Sequence, residues 1–381
     1  MKLQKINKVL LIRYLRIWDP NSKFESYINL FSLFITILCT VSIIIIISVN
    51  NGFKSNIKEI LNDFSGEGRI YNFTYKPISI DDYNNIVKNT NDLEISRFST
   101  KECILKTNKI SSGAFLYAFN SVDYFKNKIH KYINDGEYTD STIIVGNLLL
   151  EKYNLKINDN VSIITFNIDG IENIKKCKIS GTFKTNIPDY DSHLIFGDIK
   201  YLKELIFKKD IKYEFLQVNN PNKTSMSEVI NNDYLFLNVV EINNVFYKWL
   251  SSYDNPLKLL IIFLYIISLL NIANNNYYLV YYKKNQIDIL LTLGITKKSL
   301  KKIIILRSVA ISFAGCLIGI IISYSILFFE KYFHLINLPS YVYFIDHLPI
   351  EISFYYVILI LPYIISVTLV CSVLNYNLAN K

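Results

Sequence analysis

Long stretches of this 381-residue chain contain no charged residue. Aspartate, glutamate, lysine and arginine are missing from 26–53, 259–282, 308–329 and 352–380, runs of 28, 24, 22 and 29 residues. The 73 charges crowd into the other 278 positions at about 26%, the density of ordinary soluble protein. A single soluble domain is thereby excluded. At about 1.5 Å per helical residue, each run is long enough to cross a hydrocarbon layer about 30 Å thick. Cysteine is scarce as well: three of five, Cys39, Cys316 and Cys371, fall inside the apolar runs, where thiols pack as small apolar groups. Only Cys103 and Cys177 lie elsewhere, and their spacing leaves open whether they pair.

Motifs for chemistry are also missing. There is no CxxC, no HExxH and no G-x-S-x-G elbow. Gly294 is followed by Lys297 and Lys298 without the second glycine of a phosphate loop, so any ATP used belongs to a different chain. Asp189, Asp191 and His193 alternate and would share one face of an extended strand, where they could hold a metal; a solvated strand face has the same pattern. His130, His193, His334 and His347 are scattered. No catalytic, metal or cofactor site is expected in this chain.

What charge there is divides unevenly. Residues 1–25 carry +4, 54–258 carry 0, 283–307 carry +6 and 330–351 carry −2. Short basic segments beside membrane helices stay in the cytoplasm. This gives an eight-part reading: a cytoplasmic interfacial helix at 1–25, a first span at 26–53, an external α+β domain at 54–256, and a second span at 257–282. A cytoplasmic loop at 283–302, a third span at 303–329, an external loop at 330–353 and a fourth span at 354–376 complete it. The first span reads as an uncleaved anchor, since it is too long for a signal-peptide core and no small-residue cleavage site follows Val49. With no net basic charge on the large domain, a nucleic-acid partner loses its support.

Inside 54–256, an amphipathic helix at 50–64 leads from the first span. Strands are expected at 69–75, 93–98, 114–119, 141–145, 161–166, 177–183 and 193–196, and helices at 81–88, 146–153, 199–207, 225–230 and 241–250, in two or more small sheets. In the spans, Gly315, Gly319 and Ser323 form a small-residue ridge, as do Ser32, Thr36 and Thr40, which suits close helix packing. Asn271 and Asn274, costly in lipid, are expected to face the bundle interior. The loop at 283–302 puts Ile287, Leu290 and Leu291 on one helical face, with Gly294 as a stop and Thr296 as the next cap. Such a helix can lie along the membrane and offer a face to a cytosolic partner.

The run 284–294 resembles the "E-K-x-x-E-I-x-I-L-x-x-L-G-A" signature of FtsX-like permeases, the membrane subunits of MacB-type ABC transporters. Other stretches are similar to the LolC/LolE lipoprotein-releasing branch. They are Arg13-Tyr14-Leu15, Ser48-Val49-Asn50-Asn51-Gly52-Phe53, Ser121-Val122-Asp123, Ile144-Val145-Gly146 with Asn158-Asp159, Ile179-Ser180-Gly181-Thr182-Phe183 with Tyr190-Asp191-Ser192, and Asn271-Ile272. The resemblance implies four transmembrane α-helices with a large α+β periplasmic domain, a MacB-like core, inserted between helices 1 and 2. It implies a multi-pass inner-membrane location, a cytosolic ABC ATPase subunit that uses ATP and Mg, a second permease chain and a lipoprotein substrate. It assigns ATPase coupling to Gln286, Ile287, Asp288, Leu290, Leu291, Leu293 and Gly294. Lipid or substrate contact at the outer ends of the first two spans would fall to Ile45, Val49, Phe53, Leu260 and Phe263.

There are departures. Gln286 and Asp288 replace a Glu and a small residue, and Ser121 and Asn158 replace turn glycines. The segment 167–176 is short and lacks the proline of the LolC-type carrier hook. That favours a LolE-like or generic role, with a periplasmic carrier a less direct partner. Another transporter of the same class, or a membrane scaffold, are the other readings. Only five of 41 basic residues are Arg, which with abundant Ile, Asn, Lys, Tyr and Phe suits an AT-rich genome whose drift erodes motifs.

Overall fold

The computed structural model describes residues 23–370 except 75, 90–93, 108–110, 120–127, 167–171, 208–211, 220–232, 340–344, 360–361 and 368. Nearly all of the expected interfacial helix, the helix at 225–230, the Ser121-Val122-Asp123 turn and the end of the fourth span lie outside the described residues. Two units make up the chain. One holds 1–54, 250–336 and 348–381; the other holds 55–249 and 337–347.

Helix α1 (Lys23–Ser65) merges the first apolar run and the amphipathic segment after it into one helix of 43 residues. Its far end belongs to the second unit, where Phe64 packs against the rings of Tyr132, Phe183, Tyr190 and Phe196 at centroid distances of 5.2 to 5.9 Å. There follow β1 (Gly68–Asn72), α2 (Ile80–Asn89), β2 (Glu94–Lys106), β3 (Ser111–Phe119), β4 (Ile133–Gly136), β5 (Ile143–Gly146) and α3 (Asn147–Lys152). The domain continues through β6 (Asn160–Phe166), β7 (Glu172–Phe183), α4 (Pro188–His193), β8 (Leu194–Asp198), α5 (Lys203–Ile206), β9 (Phe215–Asn219), β10 (Tyr234–Asn238) and α6 (Val239–Ile242).

Among the described residues, all ten strands form one sheet, in place of the expected two or more. The reason is the length of β2, 13 residues, which pairs with β9 through Glu94–Phe98 and with β6 through Cys103–Lys106. A strand that long joins what its two halves would otherwise keep apart. The pairings β2–β3, β3–β8, β8–β5, β5–β7, β7–β6 and β6–β2 close into a circuit. Outside that circuit, β10 and β4 each pair on one side only and end the strand order. The buried faces supply Leu105, Leu116, Val145, Ile163, Ile179 and Ile195 to a single core. Cys103 and Cys177 sit in this core as free thiols, both pushed up by burial, Cys103 to about 12.

Two local differences have clear causes. The helix expected at 199–207 shrinks to α5 because the Asp198 carboxylate accepts from Lys200 N at 2.7 Å and Tyr201 N at 3.3 Å, holding those residues in a turn. Asp189, Asp191 and His193 lie on α4, not on a strand, and Asp191 is buried. They therefore present no shared face for a metal.

The chain leaves the domain through α7 (Asn244–Ser252) into α8 (Asp254–Tyr282), then α9 (Lys284–Thr292) and α10 (Lys297–Phe333). Among the described residues, three helices are long and apolar enough to cross a membrane. Of the fourth expected span, the structure describes a 3-10 turn, Phe354–Leu359, and helical residues at 362–367 and 369–370.

Candidate functional site

The first unit is fastened by polar contacts in a greasy setting. Asn271 Nδ2 donates to Ser32 O at 2.9 Å, and Asn275 Nδ2 to Ile28 O at 3.3 Å. Ser308 Oγ donates to Asn276 Oδ1 at 2.5 Å, tying α8 to α10. Asn275 and Asn276 are buried, whereas Asn274, expected inside, is exposed. Unpaired amides in lipid are costly, so these bonds fix which face of α8 meets α1 and α10.

Deeper toward the α9 end lies a charged cluster that sequence reasoning missed. Glu25 receives Arg307 Nη2 at 3.0 Å and Lys283 Nζ at 2.7 Å, and Arg307 Nη2 also donates to Asn29 Oδ1 at 2.7 Å. The Glu25, Lys283 and Arg307 side chains are 12%, 15% and 2% exposed. One carboxylate at the start of α1 thus binds Lys283, the residue between α8 and α9, and Arg307 in the first third of α10.

Helix α9 follows directly. It ends in two bonds, Ile295 N to Leu290 O at 3.1 Å and Gly294 N to Leu291 O at 3.0 Å, with Gly294 at φ 91°. This is a Schellman ending, whose left-handed residue favours glycine. Thr296 then caps α10, its side chain accepting from Ser299 N at 3.3 Å. The seven residues expected to couple to a partner divide by face. Ile287 is buried, and with Leu290 it borders a small apolar cavity closed by Leu279, Ile303 and Ile304. Leu291 is half-buried, while Gln286, Asp288, Leu293 and Gly294 are exposed. Ile289, not singled out from sequence, is exposed beside them. So one face of α9 anchors it to α8 and α10, and the other is left as a mixed polar and apolar surface.

The two small-residue ridges meet. A Cβ on Gly315 would come within 2.9 Å of Thr36 Cβ, and one on Gly319 within 2.8 Å of Thr40 Cβ. Ser323, further along, is buried. Leu260 and Phe263 are exposed, and Ile45, Val49 and Phe53 are half-buried. None of these five lines the apolar cavity of about 220 Å³ among the helices, which Ile44, Ile261, Tyr265, Cys316 and Tyr363 border.

Comparisons with known proteins fit this arrangement. Residues 258–381, which contain α9, match the model of the FtsX-like permease C-terminal domain. The chain is 26% identical over 356 residues to the lipoprotein-releasing system transmembrane protein LolC of Buchnera aphidicola subsp. Schizaphis graminum (strain Sg), covering 90% of this chain and 88% of that protein. It is 26% identical over 362 residues to the protein of the same name from Buchnera aphidicola subsp. Acyrthosiphon pisum (strain APS), covering 86% of each. The extracellular domain of the noncanonic ABC-type transporter YknZ from Gram-positive bacteria aligns at 13% identity with a TM-score of 0.32, over 45% of this chain and 98% of that one. The short segment at 167–176 pointed toward LolE, yet both relatives carry the LolC name. The resemblance read from the sequence is matched by these similarities: the chain is similar to proteins named LolC over 86–90% of its length, and to the FtsX-like permease C-terminal domain over 258–381.

Proposed function

We propose that the chain is the permease subunit of a complex that releases lipoproteins from the inner membrane toward a periplasmic carrier. A cytosolic ATPase subunit, which holds the ATP and Mg, docks on α9, and a second permease chain completes the membrane part. The observation that carries this reading is the split face of α9. Ile287 and Leu290 fix it to the two spans that flank it, while Gln286, Asp288, Ile289, Leu293 and Gly294 stay open, as a docking element must. Helix α8 leaves Leu259, Ile262, Phe263, Ile266 and Leu270 uncovered, a surface suited to lipid or to the second chain. The large domain takes the periplasmic side, and both termini the cytoplasmic side, from the charge distribution. Movement of that domain drives release.

Two measurements test the reading. Purified in nanodiscs with a co-expressed ATPase subunit, the chain retains that subunit and stimulates its ATPase; Leu293→Asp removes both. Retention unchanged by Leu293→Asp refutes docking through α9. Depletion of the chain leaves lipoproteins in the inner membrane; if they reach the outer membrane normally, the substrate is another, as in MacB- or FtsX-type permeases that export peptides or signal to a periplasmic enzyme.

A further inference from the structure

The described residues on either side of 340–344, between the third and fourth spans, pair with each other. Leu348 N donates to Ile336 O at 3.2 Å and Leu338 N to Asp346 O at 2.9 Å. Asn337 and His347 form a β-bridge, with His347 Nδ1 2.9 Å from Asn337 Oδ1. These bonds pair two arms, 336–338 and 346–348, into a hairpin; 337–338 and 346–347 belong to the unit of the sheet domain, while 336 and 348 belong to the other unit.

One carboxylate holds the hairpin to the domain. Asp346 accepts from Lys184 Nζ at 2.9 Å and 3.2 Å, and from Asn186 Nδ2 at 3.0 Å. Lys184 and Asn186 stand on the turn after β7, where Asn186 is at φ 63°. That turn is shaped by Asp191 of α4, which is 1% exposed. Its carboxylate accepts from Thr185 N at 2.8 Å, Thr185 Oγ1 at 2.8 Å and Asn186 N at 2.9 Å. The triplet Tyr190-Asp191-Ser192, noted in the sequence without a role, thus sets the posture of the two residues that grip Asp346.

The hairpin's exit is held too. Glu351 N donates to Ser48 O at 3.2 Å on α1. Gly52, one turn on, leaves the room this needs: a Cβ there would lie 2.5 Å from Pro349 O and 2.8 Å from Glu351 N. Both residues belong to the Ser48-Val49-Asn50-Asn51-Gly52-Phe53 stretch, which therefore works as a seat for the chain returning from the hairpin.

We propose that the paired arms 336–338 and 346–348 of this hairpin form a strut. The large domain grips it through Asp346, and α1 seats its exit at Ser48 and Gly52. Displacement of the domain then reaches the first and fourth spans through the hairpin as well as along α1 and α8. Only the source of the motion, a docked ATPase, rests on the proposed function. Because the Lys184 and Asp346 side chains are 33% and 45% exposed, their ion pair is a weak contributor to stability, and breaking it leaves the domain folded. Asp346 and Lys184 are accordingly positioning residues that can be changed without unfolding the protein.

Hydrogen exchange on the full-length chain in nanodiscs tests this in two steps. In the chain alone, Asp346→Lys raises exchange at 345–351 and 184–187 about tenfold while β2 and β3 stay protected, and adding Lys184→Asp restores both segments. In the complex with its ATPase, protection of the two segments changes together between nucleotide-free and vanadate-trapped states. Asp346→Lys removes that response at 345–351, and the charge swap recovers it. If Asp346→Lys leaves exchange at 345–351 unchanged in the chain alone, or leaves the nucleotide response intact, the strut is refuted. A chain that binds no ATPase refutes the proposed function and leaves the first step to decide the strut.

Discussion

Removing the Glu25 carboxylate strikes a group that joins α1 to α10 and to Lys283 at the head of α9. Taking one partner out of a buried ion pair costs about 3–5 kcal/mol, because the surviving charge stays out of water. Here two cations survive. Lys283, at the end of α8, has a flexible stem and can turn its ammonium toward the interface. Arg307, at 2% exposure and bonded also to Asn29, has no such escape. The Arg307 contribution therefore dominates, and Glu25→Ala is expected at the lower end, about 3 kcal/mol. Glu25→Gln keeps an acceptor oxygen and should cost about 2 kcal/mol. Arg307→Met removes the stranded cation, so the double variant with Glu25→Ala should be less damaged than the sum of the singles by about 2 kcal/mol. Equilibrium unfolding of the four proteins of that cycle, in nanodiscs, measures the coupling. ATPase stimulation, measured in parallel, should fall with Glu25→Ala while the ATPase remains bound, since Lys283 heads α9, the helix proposed to dock it. A coupling energy under about 0.5 kcal/mol would refute the reasoning, for it would mean the cluster is solvated and holds nothing.

Three further outcomes are expected. Gly294→Ala meets no neighbour but must adopt φ 91°, so it should cost about 1–2 kcal/mol and shift α9's exposed face; equal stability and equal ATPase stimulation would contradict the Schellman ending. Gly315→Leu forces α10 off Thr36 and should destabilise by about 1–3 kcal/mol, with part of the loss recovered by Thr36→Ala; no recovery in unfolding measurements would deny that these ridges touch. Burial pushes the Asp191 carboxyl up to about 6, against the three hydrogen bonds and Lys184 that pull it down. Its folded-state value stands above the unfolded one, so the stability it contributes is full below about pH 4 and is lost as pH rises through about 6. Asp191→Asn should flatten that decline, which amounts to about 3 kcal/mol, and an unchanged pH profile in thermal unfolding would rule the assignment out.

Much of this architecture follows from composition and short-range pattern. Three of the charge-free runs become long helices because only intrahelical bonds satisfy a backbone in lipid, and each of the seven expected stretches of alternation overlaps a strand. Asn158, standing where a glycine is usual, adopts φ 76°, a conformation asparagine tolerates. What stayed hidden is long-range. Periodicity placed Ile287, Leu290 and Leu291 on one face of α9 but could not say that Ile287 and Leu290 turn inward against Leu279 and Ile303. Nor could it show that β2 stitches two halves into one sheet, since strand pairing across 100 residues leaves no local mark.

The Glu25 cluster is different, because its signal was present in the gaps themselves. Glu25 is the last charge before the run at 26–53, Lys283 the first after 259–282, and Arg307 the last before 308–329. Residues at the edge of a membrane span sit at one depth, where lipid raises the cost of solitary charge and three helices of one bundle bring their ends together. Opposite charges placed there find each other by necessity. The boundaries of three charge-free runs, taken together, point to a shared ionic site even though each run alone marks only a span, and Lys283 connects that site to α9.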